Sequence, residues 1–116
     1  MEIPEKRRSK RLKTSLPVTF QHVGTSKRYG ETVTKDISVT GLRMNIDSFF
    51  PPNSNFVIKM RFPEVNKIIE VLARVVWSQT TLHSNQYQAG MEFTEINPIF
   101  KKWLEEYILI NIALGK

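Results

Sequence analysis

Hydrophobic and polar residues alternate along most of this chain, and the period changes once, near the C-terminus. Leu16, Val18 and Phe20 alternate with Pro17, Thr19 and Gln21, which predicts a first strand over 16–23. Gly24-Thr25-Ser26 is a turn. Residues 29–37 are rich in β-formers, with Val33 and Ile37 on one face and Lys35 between them, and form a second strand. Leu42, Met44 and Ile46 alternate with Arg43 and Asn45 in a short third strand. Pro51-Pro52-Asn53 then breaks the chain. Phe56, Ile58, Met60 and Phe62 give a half-buried fourth strand, followed by a turn at Pro63–Asn66. Ile69, Val71, Ala73, Val75 and Trp77 share one face of a long fifth strand, with Glu70, Arg74 and Ser78 on the other. A loop covers 79–85. Tyr87, Ala89, Met91 and Phe93 form the sixth strand, opposite Gln88, Gly90 and Glu92.

The period then becomes helical. Asn97 suits an N-cap and Pro98 the first helical position. Ile99, Trp103, Leu104, Tyr107 and Ile108 recur at helical spacing, with Lys101, Lys102, Glu105 and Glu106 on the other side. The helix, about 97–113, ends before Gly115, and its apolar stripe is expected to pack on the sheet. Six short antiparallel strands and one terminal helix predict an all-β domain with a terminal helix: a closed six-stranded antiparallel β-barrel and a C-terminal α-helix. Closure removes the edges that short strands would otherwise expose.

Residues 1–14 stand outside this pattern. They carry Pro4, a dense charge cluster and almost no apolar periodicity, and read as a flexible basic N-terminal arm ahead of a barrel over 15–114. Charge makes the distinction sharper. Of the net +6, residues 1–28 hold eight Lys and Arg and two acids, while residues 29–116 hold nine of each sign. The basic excess belongs to the N-terminal edge of a neutral body. Such an arm suits an anion: nucleic acid, anionic lipid or a phosphorylated small molecule. Composition does not choose among them, nor between any of them and a merely solvated tail.

Several chemistries find no support. The chain has no cysteine and only two histidines, His22 and His83, too few for a Cys- or His-based metal cage. No Walker or Gly-x-Gly-x-x-Gly motif is present, and no Ser lies in a nucleophile elbow. An enzyme is not expected, nor a resident cofactor. No apolar run is long enough to span a membrane, and the charged N-terminus lacks a signal-peptide core. The expected location is the cytoplasm.

Two local features remain. Arg7-Arg8-Ser9-Lys10-Arg11 places arginines four apart at 7 and 11. Asp36-Ile37-Ser38-Val39-Thr40-Gly41 lies between the second and third strands. Asp36 and Ser38 are two apart in extended chain, so their side chains point the same way. Gly41 permits a tight turn and close backbone approach. By itself the second feature reads more readily as an ordinary polar turn than as a site. Together, Arg-x-x-x-Arg followed some 25 residues later by Asp-x-Ser-x-x-Gly resembles the PilZ family, whose domains bind cyclic di-GMP. Leu16-Pro17-Val18, Arg74-Val75-Val76-Trp77 and Tyr87-Gln88-Ala89-Gly90-Met91-Glu92-Phe93 extend the resemblance over about residues 5–112.

The resemblance implies a stand-alone receptor or adaptor for cyclic di-GMP, acting on motility, pili, biofilm or exopolysaccharide through a protein partner. Arg7, Arg11, Asp36, Ser38 and Gly41 take the places of the family's ligand-binding residues. Lys6, Arg8 and Arg43 are possible further contacts, as are Lys10 and Arg74. Lys6 keeps a charge where relatives that bind a stacked ligand dimer tend to carry Arg, which leaves the stoichiometry open. The chemistry suits the ligand: an Arg fork meets guanine O6 and N7 or stacks on the base, Asp36 can accept from guanine's N–H groups, and a basic arm suits two phosphodiesters. The arm is expected to fold over the ligand and change the surface shown to a partner. The alternatives are a PilZ-like interaction protein that binds no ligand, and nonspecific nucleic-acid binding through the arm. No specific nucleic-acid binding and no membrane insertion are expected.

Overall fold

A computed structural model describes residues 10–24, 29–81 and 85–115. Seven strands and one long helix follow in chain order: β1 (Leu12–Lys13), β2 (Pro17–His22), β3 (Tyr29–Ile37), β4 (Gly41–Ile46), β5 (Asn55–Phe62), β6 (Lys67–Thr80), β7 (Tyr87–Glu95) and α1 (Pro98–Ala113). All pairings are antiparallel, in the order β1-β3-β2-β5-β6-β7-β4, and an added β3–β4 pairing closes the ring. The result is the expected closed six-stranded barrel with a C-terminal helix, plus one short extra strand.

The alternating residues fill the barrel. Phe56, Ile58, Met60 and Phe62 of β5 are buried, as are Leu42, Met44 and Ile46 of β4 and Ile69, Val71, Ala73 and Val75 of β6. Phe20, Phe50 and Phe56 meet edge to face, a favoured arrangement of aromatic quadrupoles. Helix α1 packs with Leu104 and Ile108 buried. Trp103 and Tyr107 stack on each other, and both meet Phe62 edge on. Asn97 caps the helix by accepting from the Ile99 amide at 2.8 Å. Ile99 does not join the packed stripe; it is 75% exposed, because its angular position on the helix lies well away from Leu104 and Ile108.

The barrel reaches further toward the N-terminus than the alternation implies. Residues 10–14, assigned to the arm from sequence, lie against it. Leu12 is buried and pairs with Ile37, and Lys13 pairs with Asp36. One apolar residue in a charged run carries no period, so this strand is illegible in the sequence. β1 and β2 form one interrupted edge along β3. Thr34 staples the interruption: its hydroxyl donates to the Thr14 carbonyl and accepts from the Leu16 amide at 2.9 Å. Residues 1–9 lie outside the described residues.

Of three register shifts among the described residues, at Lys35 in β3, Val76 in β6 and Thr94 in β7, the first two bear on the site. Lys35 is the extra residue in β3 opposite β4, and Val76 the extra residue in β6 opposite β7. The first separates Val33, which is 47% exposed, from Ile37, which is buried, although strict alternation puts them on one face. The second turns Trp77 out of the row formed by Ile69, Val71, Ala73 and Val75.

The Tyr107 hydroxyl donates to Glu64 Oε1 at 3.4 Å, tying the helix to the turn after β5. Burial of the phenol, with the Glu64 charge and hydrogen bond adding to it, raises its pKa above 10.0. A raised native pKa means the folded state holds this proton more tightly. The contribution is therefore full below pH about 10 and is lost as pH rises through the higher native value. In denaturant titrations from pH 8 to 11, wild type should lose stability more steeply than Tyr107→Phe above pH about 10; parallel curves would refute the link.

Candidate functional site

The residues singled out by sequence converge on the β3–β4 turn. The Lys35 bulge aims Asp36 outward, on the side of its β4 partner Arg43. Arg11 precedes Leu12, and burial of Leu12 beside Ile37 carries the arginine onto the same spot. Arg11 Nε donates to Asp36 Oδ1 at 2.9 Å, and its Nη2 lies in ion-pair contact with the same oxygen at 2.8 Å. Arg43 Nε donates to Oδ2 at 2.7 Å, and its Nη2 contacts the same oxygen. Each carboxylate oxygen therefore accepts a hydrogen bond from one guanidinium and is in ion-pair contact with the same group. Asp36 is 3% exposed because the arginines cover it.

This differs from the expectation that Asp36 offers its oxygens to guanine. The carboxylate is engaged, and its evident work is to hold two guanidiniums side by side against their mutual repulsion. The arginines keep 43% and 39% of their side chains open. Arg11 is also not carried on a free arm, since its guanidinium is already docked. Its Nη1 further approaches Ser38 Oγ at 3.4 Å.

Ser38 is fully buried and organises the turn. Its hydroxyl accepts from the Thr40 amide at 3.1 Å, meets Thr40 Oγ1 at 3.0 Å and donates to the Gly41 carbonyl at 3.3 Å. The Ser38 amide donates to the same carbonyl at 2.8 Å. The Phe93 amide donates to Thr40 at 2.8 Å, binding the turn to β7. Gly41 is required by contact: a Cβ there would overlap the Met91 carbonyl. Asp-x-Ser-x-x-Gly thus encodes a carboxylate that aligns arginines, a hydroxyl that staples the turn and a position that admits no side chain.

Beside this turn an open cleft of about 560 Å³ runs over the outer face of β4, β7 and β6. Arg11 and Arg43 line one side, and Arg74 and Trp77 the other. Gly41 and Gly90 lie between them, paired across strands with Glu92, Arg43 and Trp77. The Trp77 indole lies over Gly90, where a Cβ would collide with the ring. Arg74 Nε donates to Glu92 Oε1 at 2.9 Å, and Nη1 to Asn53 Oδ1 at 3.3 Å. The cleft therefore joins several guanidinium groups to an indole face, which suits a flat, anionic, aromatic ligand. A smaller depression of about 350 Å³ on the outer face of β2 and β5 has one acid and two bases among its lining and lies apart from these residues.

Of the sequence-nominated residues, Arg11, Asp36, Ser38, Gly41 and Arg43 come together; Lys6, Arg7 and Arg8 lie outside the described residues. Trp77 was missed because alternation placed it in the core. The signal that finds it is Gly90 on the facing strand, a bare position on which an aromatic ring can lie.

The PilZ domain family model matches residues 5–109. No functionally curated protein matches. Among solved structures, the Bacillus subtilis inhibitor of motility (MotI/DgrA) superposes with a TM-score of 0.80 at 23% identity over 100% of this chain, which spans 58% of that chain's length. The PilZ domain of Escherichia coli YcgR with c-di-GMP superposes with a TM-score of 0.70 at 11% identity, covering 95% of this chain and 94% of that one. Borreliella burgdorferi PlzA in complex with c-di-GMP gives 0.63 at 13%, covering 96% and 54%. At these identities the likeness is one of fold.

Gly41→Ala should destabilise the domain at the upper end of ~1–3 kcal/mol, because the obstacle is backbone. Urea unfolding monitored by tryptophan fluorescence measures it; a loss below about 0.5 kcal/mol would contradict the packing argument.

Proposed function

The chain belongs to the PilZ domain family, and we propose on that premise that it is a non-catalytic receptor for cyclic di-GMP, bound in the cleft beside the β3–β4 turn. The observation that carries the reading is the convergence of Arg11, from one motif, with Asp36 and Ser38, from a second motif 25 residues away, at the rim of a cleft lined by further arginines.

In this reading Asp36 positions Arg11 and Arg43, and their open edges and faces meet the ligand. Guanine presents O6 and N7 to a guanidinium fork, and either base can stack on a guanidinium or on the Trp77 indole. The phosphodiesters lie among Arg11, Arg43 and Arg74. Docking of Arg11 before the ligand arrives lowers the ordering entropy charged to binding. Arg7, with Lys6 and Arg8, completes the site from residues 1–9, and its engagement alters the surface beside β1. A cytoplasmic protein partner reads that change. An output on motility is one candidate, since the Bacillus subtilis protein of the same fold is described as an inhibitor of motility.

Calorimetry with cyclic di-GMP should give saturable heat at micromolar ligand, and Arg11→Ala should weaken binding ~10- to 100-fold, as expected for loss of a charged hydrogen-bonding group. No heat at high micromolar ligand would refute the receptor reading and favour a domain working by protein contacts alone. Equal competition by linear oligonucleotides, with a steep fall in affinity on adding salt, would instead favour nonspecific nucleic-acid binding.

A further inference from the structure

Helix α1 has a face, apolar at both ends and charged between them, that the barrel does not cover. The face turned inward carries Leu104 and Ile108, with Phe100, Trp103 and Tyr107 beside them. At about 100° per residue, the roughly opposite face carries Ile99, Lys102, Glu106, Leu109 and Ala113. Their spacing of three, four, three and four is the a/d repeat of a coiled-coil seam. All five are exposed, Ile99 at 75% and Leu109 at 46%. Ile110, at 58%, and Ile112, at 37%, flank Leu109 and widen the apolar patch.

We propose that this face is a self-association surface, on which two copies of the chain pair their α1 helices antiparallel. Charge complementarity selects both the occupant and the orientation. Setting Ile99 against Leu109 of the second copy also sets Lys102 against Glu106 of that copy, and two-fold symmetry makes each pairing twice. Apolar ends then meet apolar ends, with two opposite-charge pairs between them. A parallel arrangement would oppose Lys102 to Lys102 and Glu106 to Glu106, which disfavours it. Within one helix, Lys102 and Glu106 are four apart in the order that stabilises a helix less, and neither forms an ion pair among the described residues. Both charges are therefore available to a second copy. One helix pair buries little surface, so the dimer is weak and concentration-dependent. The inference does not depend on the nucleotide reading.

Sedimentation velocity on the full chain, up to about 1 mM, should show a monomer shifting toward dimer without any ligand. Lys102→Glu and Glu106→Lys should each weaken association ~10-fold or more by opposing like charges. The double swap should restore it, and an equimolar mixture of the two single variants should associate more strongly than either alone. Leu109→Arg should abolish it. A wild type that stays monomeric throughout, single variants that associate as wild type does, or a mixture no stronger than its components would each overturn the proposal. A wild type that is monomeric but captures a different protein through this face would overturn it equally.

Discussion

Gly41 passes so near the Met91 carbonyl that any side chain there would overlap it, and closure of the barrel depends on that clearance. β4 is the strand that pairs on one side with β3 and on the other with β7, so it closes the ring. Its first residue must pass against β7 with no side chain in between. Ser38 shapes the turn that permits this, and Thr40 binds the turn to Phe93 across the seam. A side chain at 41 would press β4 away from β7 at the pairing that closes the ring.

That closure brings a carboxylate into an unusual setting. A buried charge is tolerated only when it is paired and hydrogen-bonded. Asp36 meets this requirement twice, with one guanidinium on each oxygen. Two positive groups so close would repel each other without the carboxylate between them, and with it they form a fixed cationic surface. The pairing spans three segments: the residue before β1, the end of β3 and the start of β4. The proposed ligand contacts and barrel stability therefore share residues, and a substitution at Asp36 or Ser38 is expected to bear on both.

Bulges do the aiming. Without the bulge at Lys35, regular alternation along β3 would carry the face of Val33 on to Ile37. Without the bulge at Val76, Trp77 would continue the row of Val75 into the core, and the indole would not lie over Gly90. In each case the bulge changes which face the following side chain occupies: Trp77 then lines the cleft, and Asp36 holds the two arginines on its other side. Irregularity at these two points is how a uniform barrel acquires a particular site.

Alternation in β4, in β5 and in β6 as far as Val75, with the change to helical period after Asn97, determined the fold class, because period two buries one face of a strand and period 3.6 one stripe of a helix. The pairing of Arg-x-x-x-Arg with Asp-x-Ser-x-x-Gly was equally legible, because a spacing can be counted. The bulges were not, since a phase shift depends on which strand lies alongside, and neither was β1, whose single buried leucine has meaning only beside Ile37. The state of Asp36 was likewise decided by tertiary structure alone. Its type and position told of an acceptor; that two arginines from opposite sides each engage one of its oxygens follows from where closure of the barrel puts them.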